Sequence, residues 1–248
     1  MCPETLKGIL TTIITEWNRD IHEECFPGYY ACPVPFFGDI LSEKPKLFTI
    51  GLNPSDREFL TCKKKPISPV RILDADSALN CDSLFDACQT YFDINPNRGW
   101  FGSSENSTKV EGFLNLMGAS YYSNRGFKYQ AIHLDLIPFP TLLKFSRFKK
   151  QNEGAVKQWI DAYGFPLLKL FVQEYRPVHI YCIGKEICSF FPHLSFHDGK
   201  ISCSYKYFEG YYNGIPLTGS DVYFPNPIHH SVLRDWRQDL TPLFLKDK

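Results

Sequence analysis

Three short, predominantly apolar segments, at residues 47–50, 130–137 and 178–183, are each cut off by glycine or proline, at Gly51, Pro138 and Gly184. Predominantly apolar segments of this length suit buried strands, and segments of helical periodicity lie between them. Few architectures satisfy that alternation: the strands must share a mostly parallel sheet, with helices covering it. A further strand is expected at 221–224, ahead of Pro225, and residues 202–217 alternate polar and aromatic side chains around Asn213-Gly214, a strong hairpin signal. The expected fold is α/β: a three-layer α/β/α arrangement around a central, mostly parallel four-stranded sheet, plus a small β-hairpin.

Helices are expected between these strands. Leu6, Ile9, Leu10, Ile13, Ile14, Trp17 and Ile21 repeat at helical spacing over residues 5–25, and further helices are expected at 81–91, 110–121, 155–175 and 185–191. Gly164 and Pro166 should break the longest of them. The chain has 248 residues, of which 44% are hydrophobic and 16% aromatic, enough for one substantial core. One domain over 1–248 is expected, with a helical extension over about residues 1–40.

No apolar stretch approaches the ~18 residues of a membrane span, and Met1-Cys2-Pro3-Glu4 lacks the basic flank and apolar core of a signal peptide. A soluble, cytoplasmic, monomeric protein is expected. The nine cysteines include no Cys-x-x-Cys pair, so they read as reduced and mostly buried thiols, and neither metal nor cofactor is expected. Lysine plus arginine balances aspartate plus glutamate at 27 each, so any affinity for a polyanion has to come from local patches. Lys63-Lys64-Lys65 is one such patch, and Lys144, Arg147, Lys149 and Lys150, interleaved with Phe145 and Phe148, make a second.

In open α/β sheets, ligands bind at the carboxyl ends of the strands, and three of those ends here carry polar turn residues. They read Gly51-Leu52-Asn53-Pro54-Ser55 after the first run, His133-Leu134-Asp135-Leu136-Ile137-Pro138-Phe139 across the second, and Phe224-Pro225-Asn226-Pro227-Ile228 after the expected final strand, continuing to Ser231-Val232-Leu233-Arg234. Together, and in this order, they resemble the uracil-DNA glycosylase superfamily, with the first motif in the Asn form. The segment 178–184 is similar to the family's third strand and glycine turn, so the resemblance covers roughly residues 45 to 236. It implies a DNA partner, base flipping and hydrolysis of an N-glycosidic bond.

That reaction passes through an oxocarbenium-like state, which calls for a positioned water more than for a strong base. An amide can place such a water, which makes Asn53 the candidate, with Asp56 or Glu58 as alternative activators. Ser55 and Phe59 are expected on the same base-binding surface. Asp135 stands where the superfamily usually has the asparagine that reads uracil. A carboxylate accepts from the exocyclic amine of cytosine, and a protonated carboxyl also donates to N3; that protonated form still tolerates uracil. Burial would favour the protonated form.

Unmodified cytosine makes no sense as a substrate in a cell's own DNA. A modified cytosine does, and some superfamily members excise glucosylated hydroxymethylcytosine from phage DNA as an antiviral defence. The leading expectation is therefore a monofunctional DNA glycosylase of that type; repair of uracil, a catalytically silent DNA-binding module and a small-molecule nucleosidase are the competing readings.

The second loop has Phe224 where the family commonly has a leaving-group histidine, so that assistance is either absent, as in the branches that lack the histidine, or supplied by His229 or His230, which otherwise contact phosphate. Pro225, Asn226 and Pro227 shape that loop, and Ile228 is the expected wedge in the vacated stack. Trp100 and Phe101, like Tyr121 and Tyr122, are candidates for stacking on a base or sugar. Lys144 and Arg147 are the leading candidates for gripping the backbone.

Overall fold

Short segments rich in apolar residues and bounded by glycine or proline decide the strands. In the computed structural model, which describes residues 1–103, 109–191, 194–198 and 206–220, the three apolar runs form β1 (Lys46–Gly51), β3 (Tyr129–Asp135) and β4 (His179–Ile183). β1 and β4 are buried at every position and β3 at all but its first, as strands covered on both faces must be. With β2 (Ala119–Ser120), β5 (Ser195–Asp198), β6 (Lys206–Tyr212) and β7 (Ile215–Ser220) they build a seven-stranded sheet of order β2-β3-β1-β4-β7-β6-β5. β2 runs parallel to β3, and β4 runs parallel to both β1 and β7; β6 is antiparallel to β5 and β7.

The class is α/β as expected, but the sheet exceeds four strands because the hairpin joins it and the short strands β2 and β5 add to its two edges. The hairpin turns at Asn213-Gly214 with φ of 50° and 80°, and its second strand then lies along β4, pairing Ile180 with Leu217 through Ile183 with Ser220. Gly219 permits that fit, since a Cβ there would collide with the Phe208 ring and sit 2.6 Å from the Cys182 carbonyl oxygen. The strand expected at 221–224 lies outside the described residues.

The chain divides into two compact units: one from Met1–Asp39, Leu52–Pro96 and Leu134–Glu174, the other from Ile40–Gly51, Asn97–His133 and the described part of Tyr175–Lys248. Strands dominate the second unit. The first is mostly helical and aromatic inside: Phe36 packs on Phe85 and Phe171, both at 5.3 Å between ring centroids, and Phe37 packs on Tyr91 at 4.7 Å. The N-terminal stripe fills part of this core. Leu6, Leu10, Ile13, Ile14, Trp17 and Ile21 are all buried, and Trp17 stacks on Phe139 at 5.9 Å while its indole N–H donates to the Ala31 carbonyl.

Several helices depart from expectation: the one expected over 185–191 is the single turn Lys185–Cys188, and the one expected over 81–91 is Cys81–Gln89, with Tyr91–Ile94 following it. The helix Val110–Leu116 ends early because the chain turns at Gly118, φ 74°, into β2. The long helix near 155–175 is not broken: Glu153–Trp159 and Phe165–Tyr175 are joined by a π turn, Ile160–Gly164. Gly164 serves contact here, since a Cβ would overlap the Leu136 carbonyl oxygen and lie 2.9 Å from its carbon. The described cysteines form no disulfide, and six of the eight are buried; burial pushes the Cys32 thiol up to about 12 and raises Cys25 and Cys88 as well. No helix among the described residues is long and apolar enough to cross a membrane.

Candidate functional site

β1 delivers the chain into the Gly51-Leu52-Asn53-Pro54-Ser55 turn, and Pro54 fixes the backbone just past the strand. Within the first unit, this turn and the segment after Asp135 run side by side. The Ile137 amide donates to the Leu52 carbonyl at 2.9 Å, and Ser55 forms a parallel bridge with Thr141. Asn53 lies between these two ties, half-buried, and Asp135 lies two residues ahead of the first, buried at 5% exposure. The two residues singled out for chemistry therefore sit at adjoining strand ends.

Asn53 is tightly held. Its amide nitrogen donates to the Pro54 carbonyl at 2.9 Å and to the Thr141 hydroxyl at 3.0 Å. A carbonyl can only accept, so the Pro54 contact identifies the nitrogen without ambiguity. The opposite face of the side chain presents Oδ1, which accepts no hydrogen bond among the described residues. A carbonyl oxygen fixed in this way can accept one hydrogen of a water.

The neighbouring candidates behave differently. Ser55 is exposed, and its hydroxyl caps the 3-10 turn Asp56–Glu58 by accepting from the Arg57 amide at 3.1 Å. Asp56 is engaged by Lys64 at 2.5 Å. Glu58 is 5% exposed and accepts the hydroxyl hydrogen of Tyr91, a fully buried residue on the helix Tyr91–Ile94. Its carboxylate therefore ties a turn to the core. Phe59 is 7% exposed and meets Phe26 edge-on at 5.7 Å, which makes it a core ring as well.

The two lysine-rich clusters approach each other in this unit. Lys64 joins Asp56 and also donates to the Leu142 carbonyl at 3.4 Å, bringing the Lys63-Lys64-Lys65 loop alongside the segment that leads to Lys144. Lys144 precedes the short helix Phe145–Gln151, anchored by buried Phe148 stacking on Trp159 at 5.8 Å. Lys63, Lys65, Lys144, Arg147 and Lys150 are all exposed, and none has a carboxylate partner among the described residues.

Trp100 and Phe101 belong to the second unit, on the helix Arg98–Phe101. There they enclose His133, with ring centroids 4.9 and 5.3 Å away, and Tyr121 closes a third side at 6.4 Å. Phe101 and Tyr121 are buried, which removes them as stacking surfaces; Trp100 and Tyr122 keep partial exposure. Tyr122 donates to the Gly102 carbonyl at 2.6 Å beneath the Arg125 guanidinium, and burial raises its phenol above the ordinary tyrosine range.

Pro225, Asn226, Pro227, Ile228, His229 and His230 lie outside the described residues. Among those that are described, no group of three or more His, Cys, Asp or Glu side chains is arranged to hold a metal. No protein-family model and no curated protein sequence matches the chain.

The roles of Thr141 and Tyr91 depend on partners remote in the sequence. Thr141 stands 88 positions from the amide it holds, so no local spacing reveals it. The one hint is a hydroxyl residue directly after Pro138-Phe139-Pro140, where a strand-end loop begins.

Proposed function

We propose that this protein is a monofunctional DNA glycosylase in which Asn53 places the attacking water, Asp135 meets the flipped base and the Lys63–Lys65 and Lys144–Arg147 cations grip the backbone. The observation that carries the reading is the Asn53 amide, whose nitrogen is doubly anchored while its oxygen stays uncommitted at a strand end beside exposed cations. In the reaction, the C1′–N bond breaks and its electron pair leaves with the base. Water, held by Asn53 Oδ1, forms the new C1′–O bond and loses a proton, and the base gains one.

The base we assign is a modified cytosine, on the strength of a carboxyl at Asp135, which can accept from an exocyclic amine. Antiviral excision from modified phage DNA follows from that assignment, and uracil repair is the alternative. Purified protein is incubated with oligonucleotides carrying uracil, cytosine, 5-hydroxymethylcytosine or its glucoside, and abasic sites are then cleaved with alkali. Release confined to a modified cytosine supports the reading; release of uracil alone overturns the base assignment. Salt-sensitive DNA binding with no release from any substrate overturns the enzyme and leaves a DNA-binding module.

A further inference from the structure

We infer that Thr141 is the positioning residue of the Asn53 site, and that it couples the Asn53 amide to the backbone-binding segment 141–147. The inference rests on the glycosylase reading and adds how that site is set.

The hydrogen-bond chain has a single possible sense. Thr141 Oγ1 accepts from the Asn53 amide at 3.0 Å and donates to the Leu143 carbonyl at 2.9 Å. Both ends are chemically fixed, because an amide N–H cannot accept and a carbonyl cannot donate. The hydroxyl hydrogen is therefore committed to Leu143, and the lone pair facing Asn53 can only receive. An inverted amide would turn Oδ1 onto the Pro54 carbonyl and onto a hydroxyl oxygen with no hydrogen to offer, so the site admits one orientation. Burial favours this arrangement, since Thr141 is 2% exposed and a buried hydroxyl left unpaired is costly.

The segment carrying Thr141 is pinned on several sides. Ser55 bridges Thr141, the Leu142 amide donates to the Cys25 carbonyl at 2.9 Å, and Lys64 reaches the Leu142 carbonyl at 3.4 Å. The next residues, Leu143 and Lys144, are exposed. A phosphate drawn to Lys144 or Arg147 thus acts on a short strap whose other end is the acceptor of the Thr141 hydroxyl. Lys64 adds a second route, because phosphate competing for its ammonium releases both Asp56 and the Leu142 carbonyl. Backbone binding and amide orientation are therefore linked by two hydrogen bonds in series.

The test compares the wild type with Thr141→Val, which keeps the shape and removes the hydroxyl, and with Thr141→Ser, which keeps the hydroxyl. The side-chain NH2 signals of Asn53 are followed by 15N NMR, free and with oligothymidylate as the probe. In the wild type and the serine variant they should be slowly exchanging and should shift when the probe binds. In the valine variant they should exchange faster and respond no further to the probe, and excision should fall at least tenfold in kcat with KM unchanged. Valine and wild type giving the same NH2 exchange and probe response overturns the inference, as does a serine variant that behaves like valine. A protein that releases no base defeats the glycosylase reading alone, because exchange in the free protein still reports the lock.

Discussion

At the residue scale, Asn53 is set apart by an asymmetry in what its two polar atoms do. Its nitrogen is saturated by Pro54 and Thr141, while its oxygen accepts nothing among the described residues. A half-buried acceptor held in place and left open is available to a water, as the proposed reaction requires. On the proposed glycosylase reading, replacing Asn53 with alanine should lower single-turnover excision roughly a hundredfold or more while DNA affinity changes little, because the water would lose its positioning group and the cations would remain. An unchanged rate would remove Asn53 from the reaction. Glu58 shows the opposite case: a carboxylate near the motif that the sequence could not separate from a water activator is consumed by the Tyr91 hydroxyl inside the core.

At the scale of elements, glycines decide how closely strands and helices approach. Gly164 occupies the π turn between Glu153–Trp159 and Phe165–Tyr175, and its missing side chain makes room for the Leu136 backbone, one residue past Asp135. A Cβ there meets backbone, which cannot rotate away, so the helix itself must shift. Gly164→Ala should cost roughly 2–4 kcal/mol in urea denaturation, measured at pH 7 and low salt. A cost under about 0.5 kcal/mol would show that the helix yields freely. An expected helix break becomes a π turn for the same reason: glycine in a helical pattern suggests punctuation, whereas this one serves close approach to a segment that is remote in sequence.

For the whole molecule, a net charge of zero means that polyanion binding has to be local. The double variant Lys144→Ala with Arg147→Ala should weaken binding to every DNA sequence alike and lower the slope of log affinity against log salt by about two, one for each phosphate no longer neutralised. An unaltered slope would place the DNA elsewhere.

Stability should also depend on pH through His179. This histidine, 1% exposed on β4 and paired with the Thr218 hydroxyl at 2.8 Å, has its pKa lowered to about 3 because burial disfavours the cation. Above about pH 7.5 it is neutral in both folded and unfolded chains and contributes no pH dependence. Below that the unfolded chain takes up a proton that the folded protein refuses, so stability falls by up to about 1.4 kcal/mol per pH unit until the folded group titrates. Denaturation at pH 6.5 and 5.0 should differ by about 2 kcal/mol more in the wild type than in His179→Gln, and equal differences would exclude the residue as the cause.

The sequence by itself determined the class of the fold, the positions of β1, β3 and β4, the hairpin turn and the buried N-terminal stripe. These follow from hydrophobic period, run length and turn chemistry, all of which act between near neighbours. It also placed Asn53 and Asp135 at strand ends. Only the tertiary structure decided that the hairpin joins the sheet through β7 and β4, that Phe59 and Phe101 are core rings, that Glu58 is spent on Tyr91, and that Thr141 orients Asn53. Each of those outcomes depends on partners tens of residues apart, and a hydrogen bond spanning 88 positions leaves no periodicity along the chain. Residue types can therefore announce which side chains are able to do chemistry, but only packing determines which of their atoms remain free to do it.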